Sequence, residues 1–210
     1  MRDYLKVDFI RFVPDRRCYD LGFDDFVVFS RNPERIEGDF IRGYLVEARD
    51  RKDLISKLRR ARDEWIVGVI GDLRVLREAV MRKRVDVILD FCGRELDYNT
   101  VRFAREKDVA IEISLSSLLN SSGIGRVRQI EELKDLLRVI KKFDAPFVLT
   151  SGASDFYEMR PKRQILEFFD FLGFNIERAE YWLRRIIRRY RDPNYIMDGL
   201  EIEEIIEDPR

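Results

Sequence analysis

Apolar, β-rich runs recur along the chain at residues 4–12, 25–29, 41–47, 65–70, 85–91, 109–114 and 146–150. Several are nearly continuous, as in V-D-V-I-L-D-F and P-F-V-L-T. That pattern belongs to strands buried on both faces of a parallel sheet. Helical patterns alternate with them. Residues 53–62 place Leu54 and Leu58 on one face near Ala61, and 73–82 offer Leu73, Leu76 and Val80. Residues 99–107 are short, with Val101 and Ala104, while 129–142 carry Ile130, Leu133, Leu137 and Ile140 at spacings of three and four. The early connections, 15–24 and 30–39, are short. Seven strand candidates in about 150 residues, in a mostly β-α-β-α order, predict a small TIM-like (β/α) barrel, complete or incomplete. A doubly wound sheet is the alternative, since both architectures use short parallel strands.

The C-terminal part changes character. A helix over 163–172 should end at Gly173, and a second should start after Asn175. Ala179, Leu183, Ile186, Ile187 and Tyr190 face inward on that second helix. Arg184, Arg185, Arg188, Arg189 and Arg191 lie on or near its opposite side, the first four as a secondary basic surface. Asp192-Pro193 stops it. Residues 193–210 then form an acidic tail with six acidic side chains and one basic, and its L-E-I-E-E-I-I pattern could dock on the body. Residues 1–192, read as a single barrel domain, carry 39 basic and 34 acidic side chains. A mildly basic body can bind a polyanion on one face.

Composition narrows the chemistry. About 45% of the 210 residues are apolar and 38% are charged, as in a soluble globular protein. No long uncharged apolar stretch occurs, and M-R-D-Y-L-K-V-D lacks a signal segment, so a cytoplasmic location with no membrane association is expected. Cys18 and Cys92 are too few for a disulfide scaffold or a four-cysteine zinc site. The absence of histidine excludes His-based general acid–base catalysis, His triads and His-rich zinc or iron sites. A carboxylate-only magnesium site stays open. The 31 arginines against 9 lysines supply planar forks for phosphate or carboxylate.

Asp90 and Glu112 fall near the ends of predicted strands, where a barrel places its usual active-site face. Such a pair could bind magnesium or act as acid and base. The favoured reading is that they hold arginines through buried ion pairs. Ser151 lacks a histidine base and an S-x-x-K motif. With Gly152 it reads as a turn whose N–H groups could meet an anion, or as a plain strand-to-helix turn capped by Ser154 or Asp155. Ser121, Ser122, Gly123 and Gly125 make a second polar loop before Arg126 and Arg128, without the G-K-[ST] of a P-loop. Arg160, Lys162 and Arg163 form another basic cluster. No G-x-G-x-x-G, RNP or KH signature accompanies these clusters, so any RNA binding would rest on shape and phosphate.

The runs V-A-I-E-I-S-L-S-S-L-L-N-S-S, R-V-R-Q-I-E-E-L-K-D-L-L, P-F-V-L-T-S-G-A and M-R-P-K-R-Q-I-L, followed by L-G-F, resemble protein component 3 of archaeal ribonuclease P. The resemblance extends to the corresponding eukaryotic subunit; it is strong from about residue 85 to 179 and weaker before residue 40. It implies a (β/α) barrel related to the polymerase-and-histidinol-phosphatase type, without that type's histidine-bound metals. It implies a non-catalytic subunit of a ribonucleoprotein that removes the 5′ leader of precursor tRNA, with the chemistry carried by RNA and magnesium. No cofactor would be bound by this chain itself. The implied partners are the ribonuclease P RNA, a small protein subunit with an RNA-recognition-like fold and the other ribonuclease P proteins. The family's arginine after the polar loop fits Arg126 or Arg128, its S-G-A fits Ser151 to Ala153, and its later basic positions fit Arg160 and Arg163. Pro161 comes early and Gln164 stands where the family has Asp, so that loop departs from the pattern. The alternatives are a free-standing magnesium-dependent barrel hydrolase and a protein-only scaffold.

Overall fold

A computed structural model describes residues 6–91, 94–192, 194–197, 200 and 201. Seven parallel strands lie side by side in chain order: β1 (Val7–Ile10), β2 (Asp25–Ser30), β3 (Ile41–Glu47), β4 (Ile66–Ile70), β5 (Val87–Ile88), β6 (Ala110–Ser114) and β7 (Phe147–Thr150). A doubly wound sheet would reverse its strand order at a switch point. This order never reverses, so the sheet curls into a barrel. Strands β1 and β7 share no ladder. They are joined where they finish: Gly152 N–H, just after β7, donates to the carbonyl of Phe9 in β1 at 3.2 Å, and Arg11 N–H, just after β1, to the Ala153 carbonyl at 2.8 Å.

The helices between strands are α1 (Arg16–Tyr19), α2 (Arg51–Leu58), α3 (Leu73–Val80), α4 (Tyr98–Lys107), α5 (Leu115–Leu119) and α6 (Gly123–Phe143); α7 (Lys162–Phe171) and α8 (Ile176–Arg191) follow β7. Short polar side chains set their starts. Asp15, Asp50, Asp72, Asp97 and Asn175 each accept an N–H from the first turn of the helix that follows. Gly173, with φ at 92°, ends α7 as its position in the sequence predicts.

Helix α6 begins six residues before the expected start at Gln129, because its first turn lacks the apolar stripe that marks the rest. Helix α5, in L-S-S-L-L, has no signal in the sequence pattern: five residues are too few to show a period. Of the expected strand over 85–91, only Val87 and Ile88 pair as a strand. Cys18 is buried, whereas Cys92 lies outside the described residues. Most of the expected acidic tail also lies outside them. Its described part contains the antiparallel pair of β8 (Tyr195–Met197) and β9 (Leu200–Glu201).

Alternate strand residues divide into two cores. Ile10, Phe26, Val28, Val46, Val69, Ile111 and Ile113 pack under the outer helices. Val7, Phe9, Val27, Phe29, Ile41, Ile66, Val87, Leu89, Ala110 and Val148 fill the barrel interior, together with Trp182, Leu183, Ile186 and Ile187 of α8. Helix α8 therefore plugs the end of the barrel where the strands begin. Its polar side chains bind there too. Arg185 and Arg189 pair with Asp108, Arg191 with Asp25, and the Tyr190 hydroxyl donates to Asp86 at 2.6 Å. The expected secondary basic surface is thus corrected at Arg185 and Arg189. Arginines placed opposite the apolar face reach around to acids at the strand starts.

Large and small inward residues alternate. The Phe9 and Phe29 rings meet edge to face at 5.2 Å. A Cβ on Gly43 would come within 2.6 Å of Phe29, and one on Gly68 within 2.6 Å of Leu89 and 2.7 Å of Phe29. Gly68→Ala is therefore expected to destabilise the fold by about 1–3 kcal/mol through overpacking. Urea denaturation checks this: the midpoint should fall, and an unchanged midpoint would show that the interior has room.

Candidate functional site

The end of the barrel where the strands finish is closed by charge. Glu112 points inward from β6 with no exposed surface. It receives Arg11 through both terminal guanidinium nitrogens, at 3.0 and 2.5 Å, the bidentate geometry that suits an arginine fork. Its remaining capacity is met by the Thr150 hydroxyl at 2.8 Å and the Asp90 N–H at 2.7 Å. Arg11 sits above the interior aromatics, 5.9 Å from the Phe29 centroid.

Asp90 is held in turn. It takes the Ser114 N–H at 2.8 Å, the Ser114 and Ser117 hydroxyls at 3.1 and 3.2 Å, and Arg94 at 3.3 Å. Arg94 also donates to the Glu112 carbonyl at 2.6 Å. The two candidate carboxylates thus come together, but as acceptors in a closed Arg11–Glu112–Asp90–Arg94 network. Arg11 and Arg94 were not among the expected site residues. The partner of an inward carboxylate on a distant strand leaves no local trace in sequence. Among the described residues, no group of three or more Cys, Asp or Glu side chains is arranged to hold a metal ion.

The T-S-G-A stretch closes the barrel rather than cradling an anion, which corrects that expectation for Ser151 and Gly152. Both residues are buried. The Ser151 N–H donates to Asp8 at 2.8 Å, and the Gly152 N–H is engaged by Phe9. Gly152 has φ at 62°, and a Cβ there would strike Ser114 at 2.4 Å, so glycine is required. Asp8 faces the β1–β7 seam, where its second oxygen has no hydrogen-bond partner. Beside it lies a void of about 10 Å³, lined also by Lys162, Glu180 and Leu183.

The basic candidates lie on the rim and differ in availability. Arg126 is exposed, with its guanidinium bonded to the Ser121 carbonyl at 3.0 and 2.5 Å. Arg128 is exposed and makes no hydrogen bond or ion pair among the described residues. Exposed Ile124 and Val127 stand beside them in the first turns of α6. Arg160 donates to the carbonyls of Tyr157 and Met159 at 2.8 and 2.6 Å. Arg163 pairs with Glu167 at the surface, while Lys162, only 15% exposed, pairs with Glu180 at 3.1 Å. Lys162 is therefore part of the seam rather than the accessible rim. Asn120 donates to Glu158 at 2.7 Å, which brings the loop before Arg126 against the loop before Arg160.

Fold and site together define a TIM-like (β/α) barrel whose strand-end mouth is filled by buried arginine–carboxylate pairs. A family model described as RNase P subunit p30 matches residues 40–191. The ribonuclease P protein component 3 of Archaeoglobus fulgidus is 46% identical over 198 residues, covering 94% of this chain and 96% of that protein. The protein component 3 of Methanothermobacter thermautotrophicus is 30% identical over 174 residues, covering 80% of this chain and 70% of its own length. A chain in the cryo-EM structure of archaeal ribonuclease P with mature tRNA shares the fold. Its TM-score is 0.76 at 22% identity, covering 97% of this chain and all of that one. The chain belongs to the ribonuclease P subunit p30 family and is a ribonuclease P protein subunit.

The seam yields a pH prediction. Burial lifts the Asp8 carboxyl from the usual 3.8 to about 6, against the pull of its bonds to Ser151. A raised carboxyl favours the folded state while protonated, and that contribution disappears as pH rises through about 6. Between pH 4 and 7, wild type should lose about 2 kcal/mol relative to Asp8→Asn, which does not titrate. Chemical denaturation of both proteins at the two pH values measures this. A constant stability difference would place Asp8 in a solvated setting.

Proposed function

We propose that the chain acts as a non-catalytic protein component of the ribonuclease P ribonucleoprotein, assisting RNA-based removal of the 5′ leader of precursor tRNA. The pairing at the mouth is the observation that carries this reading. Glu112 and Asp90 are already neutralised by Arg11 and Arg94, so neither is poised as a general base or as an open ligand. The rim offers the opposite resource. Arg126, Arg128, Arg160 and Arg163 stand on adjoining loops and helix starts, where they can neutralise phosphates and position RNA without reading bases.

In this reading magnesium belongs to the holoenzyme's RNA, and this chain binds no cofactor. Its partners are the ribonuclease P RNA, a small protein subunit with an RNA-recognition-like fold and the remaining ribonuclease P proteins. Precursor tRNA is the substrate of the assembly. Among the described residues no helix is long and apolar enough to cross a membrane, and the site of action proposed for the chain is the cytoplasm.

The test is precursor tRNA cleavage by the cognate ribonuclease P RNA, at magnesium low enough for protein dependence. The other protein subunits are present, with and without this chain, beside a reaction lacking the RNA. Stimulation that requires both chain and RNA is expected. Turnover without RNA, abolished by Glu112→Gln, would instead establish the barrel hydrolase. No stimulation with a folded chain would leave a protein-only scaffold. Arg126→Ala combined with Arg128→Ala should weaken RNA binding and flatten its salt dependence by up to about 0.9 for each duplex phosphate no longer neutralised.

A further inference from the structure

A groove of about 790 Å³ runs from the barrel mouth past the segment after β2 and along α2. Arg31, Arg49, Lys57 and Arg60 line it, with Glu47 and Asp72 as its acidic members. The volume lies within the range of small-ligand pockets. It is distinct from the rim around Arg126 and Arg160, and none of its basic residues was singled out by the sequence patterns.

The acids in this groove are already committed. Glu47 pairs with Arg31. Asp72 caps α3 by accepting the Val75 N–H at 2.8 Å. Lys57 is held by Asp53 at 2.8 Å and by the Glu47 carbonyl at 2.6 Å. Arg49 and Arg60 have no such partner. Both are exposed, and neither side chain makes a hydrogen bond or ion pair among the described residues. Lys52 and Arg59, also on or next to α2, are exposed and unpaired in the same sense. Residues 49–62 carry seven basic side chains against two acidic ones.

Helix α8 shows the contrast. It is as rich in arginine, yet Arg185, Arg189 and Arg191 are matched by Asp108 and Asp25. A surplus of fixed like charges along a groove raises a positive potential there, which a polyanion relieves. Arginine's planar fork suits phosphate oxygens in particular.

We propose that this groove binds the phosphodiester backbone of RNA, with Arg49 and Arg60 as its phosphate-contacting residues. Naming the polyanion as RNA rests on the function proposed above; the location of the groove does not. The test is fluorescence anisotropy of labelled precursor tRNA titrated with the full chain across about 50–200 mM salt, a range over which phosphate binding shows its salt dependence.

Arg49→Ala combined with Arg60→Ala should lower affinity and reduce the salt slope by about 1.8, the value for two duplex phosphates left without a cation. Arg49→Lys combined with Arg60→Lys should keep most of the slope. The comparison variant, Lys83→Ala with Lys107→Ala, removes two exposed, unpaired charges from the strand-start end of the barrel. It should leave the slope near wild type. Equal losses in the two alanine pairs, an unchanged slope in the first, or no salt-dependent binding by wild type would each overturn the groove. The cleavage assay separates this outcome from the wider function. Stimulation by wild type with an unchanged slope discards the groove alone. A selective slope loss without stimulation keeps a polyanion groove and discards the ribonucleoprotein role.

Discussion

A carboxylate with no exposed surface must be neutralised where it stands, and in this barrel that requirement falls on Glu112. Arg11 meets it from just after β1, Thr150 from β7 and the Asp90 backbone from the segment after β5. One side chain thus ties together four places on the sheet. Strands β1 and β7 have no ladder between them, so this network, the two backbone bonds at Phe9 and Ala153 and the Ser151 N–H bond to Asp8 hold the seam closed. Such a pair need not be more stable than an apolar substitute of the same shape. Its value is geometric: only one register of β1 against β7 brings the Arg11 fork onto Glu112.

The two ends of the barrel solve their closure differently. At the strand starts, α8 inserts apolar side chains and clamps them with arginines on Asp25 and Asp108. At the strand ends, where barrel enzymes keep open chemistry, the space is taken by paired charge. In the function proposed here, RNA contact falls instead to arginines on the rim loops and along α2. The exposed cations and the buried ones play separate parts. Burial and pairing decide which part each arginine takes, and residue type alone does not.

Much of the fold was legible in the chain. Near-continuous apolar runs such as V-D-V-I-L-D-F marked the parallel strands, and the stripe of Leu133, Leu137 and Ile140 marked most of α6. What choice of architecture remained, between barrel and doubly wound sheet, depended on strand order, which periodicity does not encode. The site was only partly legible. Asp90 and Glu112 could be placed at strand ends, and their capture by arginine was the favoured reading, yet Arg11 lies 101 residues from its partner. Ser151 and Gly152 could be read as an anion-meeting turn or as a plain one, because small residues after a strand serve either purpose. Their N–H groups proved to be engaged by Asp8 and Phe9, a pairing across the closure that no local motif announces. The arginines of α8 misled for a related reason. Long side chains opposite an apolar face can still bend back to acids on the body.

The central claim is that Arg11 and Glu112 act as one unit in closing the barrel. A double-mutant cycle with Arg11→Met, Glu112→Gln and the combined variant, followed by equilibrium denaturation, tests it most directly. The account predicts a coupling of at least about 2 kcal/mol, with the double variant less destabilised than the sum of the single ones. A coupling within about 0.5 kcal/mol of zero would show two independent side chains and contradict the closure described here.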